Sequence, residues 1–405
     1  MRAGADHNRD VDSVAADWAR SGLAYLTGPQ DGPPDYSRAA VLTEARRVSA
    51  DICALTGVEV DAAAVLTGRA ALRGLSRHGR VSAGGATQLL PTADGWCAIA
   101  LPREEDVEAL PALLATDTMP AQVWPALSRW AARRCGAAVV ARAGLLDIAA
   151  AVLGEAAAAV PAVRRVGDTA APRRPDGLLV ADLSSLWAGP LCAQLLARAG
   201  AVVVKVESFA RPDGTRRGQP AFFDWINYGK LCYAVDFEAD VDSLRELLAV
   251  ADVVVETSRP AAFARRGLSP TDLPGRPGRV WLRIRGHAGQ PDRAAFGDDA
   301  AVAGGLVGAG VDGPVFCGDA IADPLSGLEA ARAVGQSLRR GGGELIEVSM
   351  AQVAARYAAL SGRSSRCAAP AVAPRPPAPA PPASPLGADN AAVRRIVSER
   401  LHAPC

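Results

Sequence analysis

Lysine is nearly absent from this chain of 405 residues: of 44 basic side chains only Lys205 and Lys230 are lysine, and the rest are arginine. Long apolar runs are also missing. No stretch approaches the roughly 20 apolar residues that a membrane-spanning helix needs. Net charge is absent too, at +1, so charge gives no argument for nucleic acid or an anionic membrane. The eight cysteines are scattered with no C-x-x-C, which reads as thiols in a reducing cytoplasm rather than disulfides or a zinc site. His7, His78, His287 and His402 show no metal-ligand spacing, and no H-E-x-x-H occurs. The missing G-x-S-x-G, G-x-x-x-x-G-K-[ST] and G-x-G-x-x-G patterns argue against a hydrolase elbow, a P-loop and a dinucleotide fingerprint. The polar, acidic first residues MRAGADHNRDVD are unlike a signal peptide. With 49% hydrophobic and 21% charged residues, the composition is that of a soluble globular protein of two or three domains.

The chain is organised around 177–207, GLLVADLSSLWAGPLCAQLLARAGAVVVKVE. A short apolar run ends at Asp182, a loop follows, and Gly189-Pro190 leads into a helical pattern through Leu191, Leu195 and Leu196. Gly200 stops that helix before the Val-rich run Ala201 to Val206. Pro suits a first helical turn and Gly the residue past the end, so the stretch predicts strand, loop, helix, strand. Further strands are expected at Tyr233–Val235, Val253–Val255, Val280–Ile284 and Leu345–Val348, with a helix at Ser243–Leu248. The alternation predicts an α/β fold, a Rossmann-like parallel sheet with helices on both faces. Its functional loops should gather at the carboxyl ends of the strands, at Ser184–Gly189, Thr257–Arg259 and Arg285–His287.

Before this region, 1–66 reads as an N-terminal helical segment, with Trp18, Leu23, Val41, Leu42, Ala45, Val48 and Ile52 at helical spacing. Residues 67–165 read as a small α+β domain. A small-residue loop, Gly84-Gly85, leads into two strands around the turn Asp94-Gly95. Amphipathic helices are expected at Glu104–Leu114 and Met119–Cys135. A Pro/Arg-rich linker at 161–176 precedes the large domain, 171–352. The Pro/Ala-rich stretch 363–389 reads as an extended linker, and 390–405 as a closing helix.

Carboxylates and arginines are left to carry chemistry. Asp323-Pro324 opens a helix with Leu325, Leu328, Ala331, Gly335 and Leu338 on one apolar face. From spacing alone, Asp323 is either an N-cap, its carboxylate accepting the helix's free N–H groups, or a functional acid. Arg265 and Arg285 are either solvated surface groups or anion ligands at the sheet's carboxyl edge.

A series of blocks then resembles the CaiB/BaiF-type, or family III, CoA-transferases. VADLSSLWAGPLCAQLLARAGAVVVKVE is similar to the family's opening strand–AGP–helix–strand. INYGKLCYAVDF, LLAVADVVVETSRPAAFARRGLSP, VWLRIRGHAGQ, IADPLSGLEAARAV and ELIEVSM resemble successive later blocks over 171–352. GGATQLLPTADGWCAIALPREEDV resembles the glycine loop and small domain that normally follow, here placed before the Rossmann-like domain. SPLGADNAAVRRIVSERL resembles the family's C-terminal block. Thr257-Ser258-Arg259 replaces a more usual Asn-Phe start, and Ser208 stands where a basic residue is common.

The resemblance implies an acyl-CoA:carboxylate CoA-transferase, with Asp323 as a nucleophile that passes through an aspartyl-CoA thioester. It implies CoA contacts from Ser185, Leu186, Trp187, Ala188, Thr257, Ser258, Arg259, Arg265 and Arg285. N–H groups of Gly84 and Gly85 would stabilise oxyanions. It implies coenzyme A or acyl-CoA as substrate with a carboxylic acid, no permanently bound cofactor and no metal. No nucleic-acid or membrane partner is expected, and the chain is expected to be a cytoplasmic homodimer, less obligatorily interlinked than its relatives because of the altered order. Two other readings stay open. One is a catalytically impaired CoA-binding or partner subunit. The other is a 2-methylacyl-CoA racemase, in which Gly297-Asp298-Asp299 stands in place of the racemases' Gly-His-Asp.

Overall fold

The computed structural model describes residues 13–258, 260–360, 367 and 369–402. His7, Arg259 and Cys405 lie outside them. The Val-rich runs form the middle of a seven-stranded sheet built from β4 (Ala162–Arg165), β5 (Leu179–Leu183), β6 (Val202–Ser208), β7 (Leu231–Val235), β8 (Val253–Glu256), β9 (Val280–Arg285) and β12 (Glu344–Ser349). The spatial order is β4-β12-β9-β8-β5-β6-β7, parallel throughout except for β4. Successive side chains of a strand point to opposite faces, and here both faces are covered. Val180 enters the core with the helices Ala40–Thr56, Ala188–Arg198 and Ala322–Arg339. Leu179 and Ala181 enter the core on the other side with the helices Val241–Val250 and Asn390–His402. This two-sided burial is why these strands read as continuous apolar runs.

The N-terminal residues join this core: Trp18, Leu23, Val41, Leu42, Ala45, Val48 and Ile52 all pack into the first of these clusters. A three-stranded antiparallel sheet, order β1-β2-β3, holds β1 (Thr87–Thr92), β2 (Gly95–Ala100) and β3 (Ala149–Val152). Its hairpin pairs Thr92 with Gly95, as the Asp94-Gly95 signal predicts. One face packs Leu90, Cys97 and Ile99 against the helices Val123–Ala131 and Gly136–Gly144. The other packs Leu89 and Ala98 against Val302, Val307 and Phe316, from the helix Gly297–Ala303 and the hairpin of β10 (Val307–Gly310) and β11 (Gly313–Phe316).

Three expectations are corrected. Residues 162–165, read as linker, are the antiparallel edge strand β4, paired with β12. Glu104–Leu114 is two short helices, Glu104–Glu108 and Leu110–Leu114, because Pro111 lacks the N–H a continuous helix would need. Met119–Cys135 shortens to Val123–Ala131. Among the described residues no helix is long and apolar enough to cross a membrane, and all seven cysteines are free.

Candidate functional site at the sheet switch point

Counting β5, β6, β7, β8, β9 and β12 as one to six, the parallel strands lie in the order 3-2-1-4-5-6, with β5 and β8 adjacent at the centre. The chain leaves β5 toward one edge and β8 toward the other, which opens a crevice beyond their carboxyl ends. A cavity of about 240 Å³ lies there. Ser185 and Leu186 line it from the loop after β5, Ala188 from the start of the helix Ala188–Arg198, Thr257 from the loop after β8, Arg285 from the end of β9, and Asp323 from the start of the helix Ala322–Arg339. Arg103, Arg293, Phe296 and Met350 complete much of the wall.

The loop after β5 is held by the chain's two lysines, both buried. Lys230 Nζ donates to Asp182 Oδ2, the Pro190 carbonyl and Asn227 Oδ1, each at 2.9 Å. Lys205 Nζ donates to Asp213 Oδ2 at 2.8 Å and the Ser184 carbonyl at 3.0 Å. Asp213 in turn accepts the Leu186 N–H at 3.2 Å, and Leu186 sits in the left-handed region at φ 71°. That conformation is strained for a side chain with a Cβ. The helix then enters close beneath the loop: a Cβ on Gly189 would lie 2.3 Å from Ser184 Cβ and 3.3 Å from Thr257 Cγ2. Despite their burial, Asp182 and Asp213 are held below the usual carboxylate range by the lysines. Burial and the neighbouring Lys205 bring Lys230 down to about 8 against the pull of Asp182.

Asp323 is not a cap. The N-cap of its helix is Ile321, which makes no side-chain cap bond. The carboxylate turns instead to the Gly297 N–H. Only glycine fits there, because a Cβ on residue 297 would lie 2.3 Å from both Asp323 Oδ2 and the Ala320 carbonyl. Asp323 keeps part of its surface on the cavity, but the surrounding protein strips most of its water. Burial, aided by Asp298 and Asp319, raises it to about 7 against the opposing charge of Arg69. Asp298, desolvated and close to Asp319, is raised to about 6. Its Oδ1 accepts the Ala320 N–H at 3.0 Å, and Oδ2 lies 3.4 Å from the Thr87 hydroxyl; it does not line the cavity. Asp299 is fully buried and raised to about 8. Its Oδ1 accepts the Phe296 N–H at 2.7 Å, and Oδ2 has no partner.

The structure thus brings together Ser185, Leu186, Ala188, Thr257, Arg285 and Asp323 of the residues singled out from sequence. Trp187 is buried under the loop, its ring 5.4 Å from the Arg69 guanidinium. Ser258 is half-buried, and its carbonyl accepts from Arg285, which also faces Glu256 at 3.6 Å. Arg265 is exposed, bonds the Ala261 carbonyl at 3.2 Å and does not line the cavity. Gly84 and Gly85 are also absent from the cavity wall. Gly84 reaches the site through Arg69, since a Cβ there would lie 3.2 Å from Arg69 Nη2. Sequence reasoning missed Arg69, Asp319, Arg103 and Arg293. It also noted that Lys205 and Lys230 are the only lysines without drawing the network beneath the loop from them.

The sequence model of CoA-transferase family III matches residues 176–380. A probable fatty acyl-CoA transferase of Mycobacterium tuberculosis is 33% identical over 211 residues, 46% of this chain and 53% of that one. A succinyl-CoA–D-citramalate CoA-transferase of Chloroflexus aurantiacus is 28% identical over 200 residues, 44% of this chain and 50% of that one. Among solved structures, a CAIB/BAIF family protein from Brucella suis aligns with a TM-score of 0.41 at 26% identity, over 48% of this chain and 59% of that one. The chain spans about half the length of the curated relatives it matches.

Proposed function

The chain belongs to CoA-transferase family III, and from that premise we propose that it moves coenzyme A from an acyl-CoA donor to a free carboxylic acid through covalent intermediates on Asp323. One observation carries the reading: a single carboxyl raised to about 7 opens onto the cavity at the switch point. Such a group is partly ionised at neutral pH and more basic than an ordinary carboxylate, as a nucleophile working there requires.

The chemistry is redox-neutral. An Asp323 oxygen attacks the thioester carbonyl, the C–S bond breaks, and CoA thiolate leaves a mixed anhydride. The thiolate then attacks Asp323 Cγ, releasing the donor acid and forming an aspartyl-CoA thioester. The acceptor carboxylate attacks the same carbon and expels the thiolate. The thiolate captures the acceptor's acyl group and frees Asp323. Each step exchanges one acyl bond for another, so one hard transfer becomes several easier ones.

In this reading CoA lies along Ser185–Ala188. Arg285 offers charge to its phosphates, since Arg283 and Arg285 share the single carboxylate of Glu256. Trp187 supports the loop from below. Contacts from Ser258, Arg259 and Arg265, oxyanion donation from Gly84 and Gly85, a homodimeric state and a cytoplasmic location belong to the same proposal.

The test is incubation with acyl-CoA donors alone, followed by peptide mass analysis. The peptide containing Asp323 should gain the mass of acyl or CoA, and hydroxylamine should discharge it. Asp323→Asn should fold, form no adduct and lose several orders of magnitude in exchange. CoA binding without adduct or turnover for any acyl pair would favour an impaired binding subunit. Deuterium wash-in at C2 of a 2-methylacyl-CoA would favour a racemase. An Asp323→Asn protein that still exchanges, checked for deamidation, would overturn the mechanism.

A further inference from the structure

We infer that Arg69 is the positioning residue of this site: it holds the segment that presents Asp323 against the loop after β5 and keeps that carboxylate available as a nucleophile. The inference rests on the reading of Asp323 above. Arg69 lies on the helix Ala62–Arg73, far from the Rossmann-like region in sequence. Asp61 caps that helix by accepting the N–H groups of Ala63 and Ala64. Its flank is fixed where Gly68 lies against Trp225, a Cβ there falling 2.6 Å from the indole.

From this anchored helix, Arg69 makes a two-pronged bond to Asp319, Nε to Oδ2 at 2.8 Å and Nη2 to Oδ1 at 2.7 Å. Asp319 is fully buried, four residues ahead of Asp323, on the turn that enters the helix Ala322–Arg339. The guanidinium faces the Trp187 ring at 5.4 Å, beneath the CoA-side loop, and Gly84 of the glycine loop closes over it. One side chain therefore joins two separate segments of the site, with Gly84 packed close against it. A planar, permanently charged fork suits that task, whereas lysine offers a single point of charge.

The charges around Asp323 give this contact a chemical consequence. Asp298 faces it from the helix Gly297–Ala303, Asp319 from its own approach turn and Arg69 from the helix Ala62–Arg73. Across the cavity, Arg103 is paired with Asp106, Arg293 with Glu155, and Arg285 with Glu256. Arg69 is the cation that opposes burial and the two neighbouring carboxylates at Asp323. Removing it takes away a positive charge and also exposes Asp323 to an unpaired Asp319. Both changes favour the protonated, unreactive acid.

The experiment is the pH dependence of adduct formation in wild type, Arg69→Gln, Arg69→Lys and the double variant Arg69→Gln/Asp319→Asn. Arg69→Gln should move the acidic limb up by about one pH unit or more, roughly a tenfold loss below the limb that recovers at alkaline pH. Arg69→Lys should leave the limb near its wild-type position. The double variant, which removes both charges, should return it toward wild type. A purely structural arginine would lower activity evenly across pH, and Asp319→Asn would not relieve it; that pattern would overturn the inference. If wild type forms no adduct with any donor, the functional reading fails instead. The ionisation of Asp323 is then followed by its ¹³C carboxyl signal, assigned with Asp323→Asn. The same upward shift in Arg69→Gln is expected, and an unmoved signal would refute the role. If Arg69→Gln does not fold, Asp319→Asn alone carries the test: with Arg69 kept and its partner's charge removed, the acidic limb should move down in pH, and an unmoved limb would overturn the inference.

Discussion

Two sets of desolvated carboxylates flank the loop after β5, and they behave oppositely. Asp182, Asp213 and Glu207 are matched by Lys230, Lys205 and Arg216 at 2.6–2.9 Å and are held below the usual carboxylate range despite their burial. Asp298, Asp323 and Asp299 are raised to about 6, 7 and 8. The cations that act on them are already committed elsewhere, Arg69 to Asp319 and Arg293 to Glu155. Desolvation acts on both sides; the supply of positive charge differs. Where each acid has its own cation, the group is locked and structural. Where cations are short, the acid keeps a mobile proton, the usual state of a working site. Lys230 fits the locked side because its compact ammonium donates to three separate acceptors, which a planar guanidinium would not meet.

The largest expected effect breaks the locked side. Lys230→Met should leave Asp182 buried without its main cation and cost about 3–5 kcal/mol of stability. Adding Asp182→Asn should recover part of that loss, since the uncompensated charge is gone. Urea unfolding of the single and double variants measures both. A loss below about 1 kcal/mol in Lys230→Met would mean that the pairing is not what holds this region.

A smaller effect separates the two sides by the sign of their pH dependence. Asp299 holds its proton in the native state up to about 8, whereas an unfolded aspartate releases it near 4. Between those limits the native state binds the extra proton, so the stability contribution falls as pH rises through about 8. The slope is about 1.4 kcal/mol per pH unit for this one group. Asp298 and Asp323 act in the same direction over narrower windows. Asp182, Asp213 and Glu207 act oppositely: their stabilisation is present above the unfolded values and is lost on acidification. Asp299→Asn keeps an acceptor for the Phe296 N–H and should flatten the decline between neutral pH and pH 8. Denaturant midpoints measured across that range check it, and an unchanged slope would mean that Asp299 ionises normally.

The contrast also explains what could be read from sequence. The central strands were legible because burial on both faces forces unbroken runs such as Ala201–Val206, and the hairpin because Asp94-Gly95 marks its turn. β4 was hidden because an exposed edge strand, Ala-Val-Arg-Arg, shows no apolar period. Asp323 was legible as a residue of interest, but its direction was not. Local spacing fits a cap equally well, and only the close approach of Gly297 turns the carboxylate away. Arg69 was invisible because its partner Asp319 lies 250 residues away and nothing in either neighbourhood points to the other.

Leu186 is where the two sides meet, and it carries the smallest predicted change in stability. Its N–H is held by Asp213 of the locked network, while its side chain, 36% exposed, forms part of the cavity wall. A left-handed residue with a Cβ costs about 1–2 kcal/mol, which glycine would relieve. Glycine's greater freedom in the unfolded chain offsets most of that gain, by about 1 kcal/mol. Leu186→Gly should therefore change stability by no more than about 1 kcal/mol. Leu186→Ala keeps the strained backbone and removes the same wall, so it should be slightly less stable than Leu186→Gly. On the proposed function, both should raise KM for acyl-CoA by a similar factor, with kcat less affected, because the side chain would contact bound substrate rather than the reacting atoms. If instead Leu186→Gly alone lowers kcat while Leu186→Ala does not, the strained backbone held by Asp213, and not the side chain, is what the locked network supplies to the cavity.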